Sequence, residues 1–246
     1  MDSTTKRICL WSCPRNMSTA TMYSFAQRPD TVVVDEPFYA HYLNITGDDH
    51  PGREETLASQ CSDPDKVIRD VIMADYPKPV VFFKQMTHHM VGNINEDFLQ
   101  HTKNIIYIRN PEQIISSYAV VYPNVTMGHV ALDEQWNFFN RLLKTSPPEN
   151  MPIVLDSNEL LKNPPKVLKM LCDALEIPFY EEMLTWKAGA RPEDGCWAKY
   201  WYNNVHNSTG WTKQRKEERK CPENLKPLLE ECRPYYEKLY AHSLKA

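Results

Sequence analysis

Five short runs of apolar residues alternate along this chain with longer stretches of helical pattern, and this alternation constrains the fold more than any other feature. Short, uniformly apolar runs predict strands that are buried on both faces. Buried strands separated by helices form a parallel sheet through right-handed crossovers. The sequence therefore predicts a single α/β domain with a central, mostly parallel sheet of about five strands flanked by helices. The predicted strands are residues 8–11, 31–35, 79–84, 104–108 and 152–155, and the predicted helices are residues 18–27, 65–74, 111–121, 130–144 and 164–175.

Length and charge narrow the class of protein. The 246 residues fit one domain spanning 1–246, and a formal net charge of -4 argues against a surface that coats nucleic acid. The chain has no apolar run long enough to cross a membrane, and its polar start lacks the hydrophobic region of a secretory signal. We therefore expect a cytoplasmic protein with no membrane partner. Seven cysteines without paired C-x-x-C spacing indicate reduced thiols rather than disulfides or a zinc site.

Charged and polar side chains follow the predicted strands at their carboxyl ends, which is where parallel sheets bind ligands. Glu36 follows the second strand, and Arg109 follows the fourth. Lys84 ends the third strand, and His88 and His89 come shortly after it. We expect these side chains to meet at one edge of the sheet.

The loop between the first strand and the first helix is a candidate anion site. Such a loop aims backbone N–H groups and the helix dipole at one point, and here it also carries a cation and two hydroxyls. It lacks the Gly-Lys pair of a Walker A loop, which weakens a nucleoside triphosphatase interpretation. An ordinary turn capped by a serine is the alternative. The candidate anion-binding residues of this loop are Arg15, Asn16, Met17, Ser18 and Thr19.

A second candidate anion site begins the helix after the fourth strand. Asn110 can cap this helix, with Pro111 at its first position and Gln113 completing a start that resembles a capping box. Arg109 stands just before the helix N-terminus, and Ser117 lies two turns along it. The alternative is that Arg109 forms a surface ion pair and Ser117 is an exposed hydroxyl on the helix.

Residues 109–111 and 117–118 reproduce the Arg-Asn-Pro-x5-Ser-Tyr signature of sulfotransferases that use 3′-phosphoadenosine 5′-phosphosulfate (PAPS). Residues 14–19 resemble the Pro-[Lys/Arg]-Ser-Gly-Thr-Thr loop of the same family, with a departure at Asn16-Met17, where the family has Ser-Gly. The resemblance implies a P-loop NTPase-like fold and PAPS as the sulfuryl donor. It also implies that the loop binds the 5′-phosphosulfate, and that Arg109 and Ser117 hold the 3′-phosphate.

Residues 195–220 are rich in aromatic and basic side chains and resemble the family's segment that closes over PAPS. Their tryptophans would also suit a hydrophobic patch that closes the core. Residues 44–62 are polar and acidic and are interpreted as a lid or an insert. In the C-terminal segment, the resemblance implies cofactor contacts from Ser208, Thr209, Gly210, Trp211 and Lys213.

Sulfuryl transfer needs a base for the acceptor proton and cations for the charge that develops on the leaving oxygen. Arg15 and Lys84 are the candidate cations. The family resemblance implies two alternative bases, a Glu after the second strand and a His after the third. In this chain these are Glu36, which we favour, and His88 or His89.

Glu36 precedes Pro37, whose ring biases it toward an extended backbone at the edge of the sheet. Because His88 and His89 are adjacent, we expect their rings to point apart, and no cluster with metal-ligand spacing is visible, so no metal is expected. The candidate acceptor-binding residues are Glu36, Tyr39, His41 and His88.

These residues predict a sulfotransferase that moves a sulfuryl group from PAPS to a hydroxyl or an amine of a small-molecule acceptor by in-line displacement. The expected partners are the nucleotide donor and that acceptor, with no nucleic acid, and a homodimer is left open. Two alternatives remain at this point. One is a P-loop-type kinase acting on a small metabolite, and the other is a non-catalytic nucleotide-binding protein.

Overall fold

The computed structural model describes residues 5–120, 122, 124–211 and 219–246. At its centre is a five-stranded sheet in the order β2-β3-β1-β4-β5, and all four strand pairings are parallel. This confirms the predicted α/β domain. The strands are β1 (Lys6–Ser12), β2 (Thr31–Asp35), β3 (Val80–Met86), β4 (Lys103–Ile108) and β5 (Ile153–Asp156).

Alternate residues of the central strand bury on opposite faces of the sheet, as the pleat requires. Ile8 and Leu10 belong to the apolar core on one face, whereas Cys9 and Trp11 belong to the core on the other, and none of the four is exposed. Helices cover both faces of the sheet. The α-helices of the described residues are α1 (Ser18–Ala26), α2 (Tyr39–Thr46), α3 (Arg53–Ser59), α4 (Pro64–Val67), α5 (Pro111–Tyr118), α6 (Met127–Val130), α7 (Leu132–Thr145), α8 (Ser157–Lys162), α9 (Pro164–Ala174), α10 (Ala198–Trp201), α11 (Asn203–His206) and α12 (Lys226–Ala241).

Helices α1 and α9 pack on the face that receives Ile8, and helices α5, α7 and α12 pack on the opposite face. Strands β1 and β4 are neighbours, yet the helices that follow them, α1 and α5, cover different faces. Chains that leave two adjacent strands in opposite directions open a crevice beyond the strand ends. The loops after β1 and β4 therefore border the crevice in which this fold class binds ligands.

Several predicted helices differ from the observed ones at their ends. The helix predicted at residues 65–74 is α4 followed by a π-helical turn, Ile68–Ile72. The helix predicted at residues 130–144 starts later, because Ala131 takes a left-handed backbone (φ 53°) that separates α6 from α7. The predicted insert at residues 44–62 contains the end of α2 and all of α3. In the described part of the chain, no helix is both long and apolar enough to span a membrane.

Candidate active site

The loop after β1 is held in an unusual backbone conformation. Arg15 and Met17 both have positive φ angles, 66° and 64°, which L-residues with side chains rarely adopt. Between them, Asn16 is fully buried, and its Nδ2 donates to the backbone carbonyl of Tyr107 in β4 at 2.8 Å. The loop is thereby fixed to the neighbouring strand, and α1 begins directly after it at Ser18, with Thr19 in its first turn.

Two arginines from distant parts of the chain meet beside this loop. Arg15 Nε donates to Ser117 Oγ in α5 at 3.0 Å. Arg109 Nη1 donates to the backbone carbonyl of Arg15 at 2.6 Å, and its Nε donates to Gln113 Oε1 at 3.0 Å. The two candidate anion sites of the sequence are therefore one site, at the crevice between β1 and β4.

The charge of Arg15 is partly withdrawn from water. Burial lowers its pKa, and the like charge of Arg219 lowers it further, while Tyr118 acts in the opposite direction. Among the described residues, no carboxylate contributes to the electrostatic surroundings that shift this guanidinium. A guanidinium at a crevice, with no carboxylate partner in the described part of the chain, suits an anionic ligand. Arg219 had not been singled out from the sequence, because only the fold brings it near the β1 loop.

Lys84, in β3, lies in a buried polar cluster. Its Nζ donates to Asp35 Oδ1 at 3.0 Å and to the Tyr202 hydroxyl at 2.8 Å, and it also bonds to Glu36 Oε1. The Lys84 side chain is 2% exposed. Burial alone would lower its pKa, but the Asp35 and Glu36 carboxylates outweigh that effect, so the pKa of Lys84 lies above its ordinary value.

Glu36 is buried beside this lysine. Burial raises the pKa of Glu36 above its ordinary value, against the lowering effect of the Lys84 ammonium. The predicted extended backbone is wrong, because Glu36 has a φ of 42°. Its N–H donates to the backbone carbonyl of Lys84 at 2.8 Å, and its carbonyl accepts from the N–H of Tyr39 at 3.0 Å. These tertiary bonds override the local preference that Pro37 imposes.

Aromatic rings pack around His88 and His89. The two histidines lie in the short 3₁₀ turn Thr87–His89, and their ring centroids are 4.6 Å apart, so the prediction that they point apart is wrong. Tyr39 and Tyr42 each stack on His89 with centroids 4.8 Å away. His89 Nδ1 is 3.9 Å from Glu36 Oε2. Burial lowers the pKa of His88 to about 3 and that of His89 well below its usual range.

His41 links two loops through its ring nitrogens. Its Nδ1 lies 3.1 Å from the backbone carbonyl of Ser62, and its Nε2 lies 2.9 Å from that of Val91. Both ring nitrogens therefore have partners within the fold, so the structure offers no open ring nitrogen for the acceptor contact predicted at this position.

The C-terminal segment that was predicted to contact the cofactor packs against residues 183–186. Trp211 Nε1 donates to the carbonyl of Met183 at 3.1 Å, and Gly210 forms a β-bridge with Thr185. Ser208 Oγ accepts from Trp186 Nε1 at 3.0 Å, and the carbonyl of Thr209 accepts from the Trp186 N–H at 3.1 Å. The structure does not bring these four residues into hydrogen-bond contact with the Arg15 loop. Lys213 lies outside the described residues.

Two members of the buried cluster, Asp35 and Tyr202, were not among the predicted site residues. Asp35 is the last residue of β2, and in the sequence it stands out only as the residue before Glu36. Tyr202 joins from 167 residues further along the chain, which no local pattern could reveal. In the described residues, no group of three or more His, Cys, Asp or Glu side chains is arranged to hold a metal ion.

Comparison with known proteins identifies the fold and the family. The sequence profile described as "Sulfotransferase domain" matches residues 6–243. The chain belongs to the sulfotransferase family. This confirms the predicted family.

Two curated relatives of this chain come from Arabidopsis thaliana. Branched-chain-amino-acid aminotransferase-like protein 1 is 41% identical over 232 residues, and branched-chain-amino-acid aminotransferase-like protein 2 is 38% identical over the same length. Each match covers 94% of this chain and 41% of the relative. The chain thus spans about two fifths of the length of these relatives.

Solved structures of sulfotransferases share the fold of this chain at low identity. The sulfotransferase from Alicyclobacillus acidocaldarius aligns over 98% of both chains with a TM-score of 0.55 and 13% identity. The sulfotransferase domain from the curacin biosynthetic pathway aligns over 98% of this chain and 92% of its own, with a TM-score of 0.51 and 17% identity.

Proposed function

We propose that this sulfotransferase transfers a sulfuryl group from PAPS to a hydroxyl or an amine of a small-molecule acceptor by in-line displacement. The observation that carries the proposal is the meeting of Arg15, Arg109 and Ser117 at the crevice between β1 and β4. Arg15 and Arg109 are 94 residues apart in sequence, and two cations and a hydroxyl brought to one crevice suit an anionic ligand.

The residues of the crevice fit a nucleotide that carries phosphate groups at two positions. Arg15 precedes the N-terminus of α1, and Arg109 precedes the N-terminus of α5, so each cation adds to the positive end of a helix dipole. Ser117 adds a hydroxyl between them. On this proposal, Arg15 and the loop residues Asn16 to Thr19 hold the 5′-phosphosulfate, whereas Arg109 and Ser117 hold the 3′-phosphate.

Glu36 is the proposed base. When bound, PAPS supplies a sulfur atom whose bond to the 5′-phosphate oxygen breaks as the acceptor oxygen or nitrogen bonds to it. Glu36 accepts the proton that the acceptor loses, and Arg15 stabilises the charge that develops on the phosphate. The raised pKa of Glu36 makes its carboxylate a better proton acceptor than an exposed glutamate near neutral pH.

The sequence suggested Lys84 as a cation for the leaving oxygen, but its contacts favour a different role. An ammonium has three N–H donors, and those of Lys84 meet Asp35, Glu36 and Tyr202. With each donor engaged, we propose that Lys84 acts on Glu36 rather than on the phosphosulfate. His88 and His89 then line the acceptor side beside Tyr39, and their lowered pKa values keep both rings neutral.

Calorimetry with 3′-phosphoadenosine 5′-phosphate (PAP), ATP and AMP tests the donor. We expect PAP to bind more tightly than either of the others, because only PAP carries the 3′-phosphate that Arg109 and Ser117 would hold. Preference for ATP, with turnover that depends on magnesium, would favour a kinase instead. Tight PAP binding without transfer to any of a panel of alcohols, phenols and amines would indicate a nucleotide-binding protein.

A further inference from the structure

We propose that Asp35 and Tyr202 are positioning residues that fix Lys84 against Glu36 and so set the pKa of the base. The inference rests on the proposed function only in taking Glu36 as that base. It goes beyond it, because neither Asp35 nor Tyr202 borders the Arg15 site and neither belongs to the motifs that identify the family.

The hydrogen bonds around Lys84 form a closed set. Asp35 lies opposite Lys84 in the register of β2 and β3, which brings its carboxylate to the ammonium across one strand spacing. Asp35 Oδ1 accepts from Lys84 at 3.0 Å, and its Oδ2 accepts from the Tyr202 hydroxyl at 2.6 Å and from the N–H of Gly195 at 3.4 Å. Both oxygens of Asp35 are therefore engaged in holding other groups.

Tyr202 bonds to both Asp35 and Lys84. A phenol has one proton, and at 2.6 Å from Asp35 Oδ2 that proton belongs to the bond with Asp35. The hydroxyl oxygen of Tyr202 accepts from Lys84 Nζ at 2.8 Å and from Trp197 Nε1 at 3.1 Å. The orientation of the hydroxyl is thus fixed by three partners, and Lys84 cannot rotate away without breaking one of them.

The charges of the cluster explain how the position of Lys84 affects Glu36 as a base. Two carboxylates share one ammonium in a site where Asp35, Lys84 and Tyr202 are all buried. Glu36 Oε1 faces Lys84, which leaves Oε2 as the oxygen turned toward His89 Nδ1 at 3.9 Å. A lysine that is pinned by Asp35 and Tyr202 can hold one oxygen of Glu36 while the other accepts a proton.

Five titratable groups face Glu36 from the elements packed against it. Asp35 comes from β2, Lys84 from β3, His89 from the turn that follows β3, Tyr39 from α2, and Tyr202 from the junction of α10 and α11. At neutral pH the two tyrosines and His89 are uncharged. The charge balance at Glu36 is therefore set by Asp35 and Lys84, and the phenol of Tyr202, 3.5 Å from Oε1, adds a dipole.

Removing the two positioning groups should move the pKa of Glu36 in opposite directions. Asp35→Asn removes a negative charge next to Glu36 and leaves Lys84 with one carboxylate partner, so we expect the pKa of Glu36 to fall by about one unit. Tyr202→Phe removes one of the three groups that hold Lys84, so the ammonium is fixed less closely against Glu36 and lowers its pKa less, and we expect the pKa of Glu36 to rise. A residue with only a structural role would change stability and leave the titration in place.

The test is a carbon-13 titration of the glutamate carboxyl groups in the full chain, with Glu36→Gln used to assign the Glu36 signal. The acid limb of the pH dependence of kcat/KM is measured beside it. Tyr236→Phe is the matched control, because Tyr236 donates to a buried carboxylate, Asp156, at 3.0 Å on the far edge of the sheet. This control should leave both readouts unchanged.

Opposite shifts in Asp35→Asn and Tyr202→Phe, with little change in KM for PAPS, are the expected result. An unmoved Glu36 signal in Tyr202→Phe, or shifts of equal sign in the two variants, would overturn the inference. If Asp35→Asn does not fold, Tyr202→Phe, which keeps the ring, decides alone. Because the carboxyl titration needs no turnover, a failure of the proposed sulfuryl transfer leaves this result readable.

Discussion

Arg15 and Arg109 lie side by side, but their bonds suggest separate tasks. Arg15 bonds to a hydroxyl, Ser117 Oγ, whereas Arg109 bonds to the backbone that carries Arg15 and to Gln113 at the start of α5. Arg109 therefore supports the β1 loop as well as the proposed 3′-phosphate site. Substitutions can separate these two contributions.

Arg109→Ala should remove one charge-assisted bond to the 3′-phosphate and weaken PAP binding by about 2–3 kcal/mol. Affinity for AMP, which lacks that phosphate, should change much less. Calorimetry with both ligands measures the difference, and Arg141→Ala, which removes an arginine paired with Glu96 on the surface, is the control. Equal losses for PAP and AMP would show that Arg109 acts only by holding the loop.

Glu36→Gln should keep PAP affinity and lower kcat by about 100-fold or more, the usual scale for the loss of a general base. His88→Asn and His89→Asn should retain most of the turnover, because neutral rings with lowered pKa values are poor proton acceptors. Steady-state kinetics on the three variants make the comparison. An active Glu36→Gln enzyme with an inactive histidine variant would move the base to that histidine.

The pH at which kcat/KM falls on the acid side distinguishes a Glu36 base from a His88 base. A glutamate base must be ionised, and because burial raises its pKa, the acid limb of kcat/KM should lie above the ordinary Glu36 value of 4.5. A His88 base with a pKa of about 3 would stay competent well below that pH. The pKa of Lys84 is raised, so its ammonium persists to high pH and should add no basic limb near neutrality.

At the scale of single elements, the β1 loop carries its own conformational cost. Met17 occupies a left-handed backbone (φ 64°, ψ 20°) at the position where the PAPS-loop pattern has glycine. Such a conformation costs a residue with a side chain about 1–2 kcal/mol, and glycine avoids that cost but loses entropy on folding. Met17 therefore occupies a backbone conformation that favours glycine.

Met17→Ile should lower the free energy of unfolding by about 1–2 kcal/mol, because a β-branched side chain fits a left-handed backbone worse than methionine does. Met17→Gly should match or exceed the wild type. Urea unfolding of the three proteins ranks them, and Met22→Ile, in the helix proper, serves as the control for a change from methionine to isoleucine. A Met17→Ile protein as stable as Met17→Gly would mean that the loop relaxes in solution.

The strands could be predicted from the sequence far better than the site. Strand β2 matches its predicted span, Thr31–Asp35, because its three consecutive valines are typical of a strand, although Val32 and Val34 are only partly buried in this edge strand. Helix α12 was not predicted at all, since Pro227 and Pro234 interrupt its pattern, yet Leu229 and Leu239 bury one side of it. Local preference also failed at Glu36, where bonds from β3 and α2 fix the backbone.

The site followed from the sequence only as far as its residues lie in short motifs. Arg15, Arg109 and Ser117 were found because each belongs to a pattern of a few residues at a strand end. Asp35 and Tyr202 could not be found in that way, because the bond that pairs them spans 167 residues. Physical proximity in a parallel sheet depends on strand order, and the order β2-β3-β1-β4-β5 is not written in any local pattern.

For the whole molecule, ligand binding and stability should be linked. A ligand that binds only the folded domain stabilises it by about 2.7 kcal/mol at a concentration of 100 times its Kd. In a domain of this size, that corresponds to a rise in Tm of about 5–10 °C. PAP should give this shift at a far lower concentration than ATP, and Arg109→Ala should require more PAP to reach it. Equal shifts for PAP and ATP at equal concentrations would contradict the proposed donor.

The bond between Tyr202 and Asp35 also has a consequence for the order in which parts of the domain fold. Strands β2 and β3 pair early in the chain, but the last partner of Lys84 arrives 118 residues later, and closing so long a loop is entropically slow. We expect the sheet to form before the lysine is secured. We expect a nascent or clipped chain that lacks the Tyr202 segment to form the sheet but not the complete cluster around Glu36. The proposed sulfuryl transfer would then require nearly the entire domain.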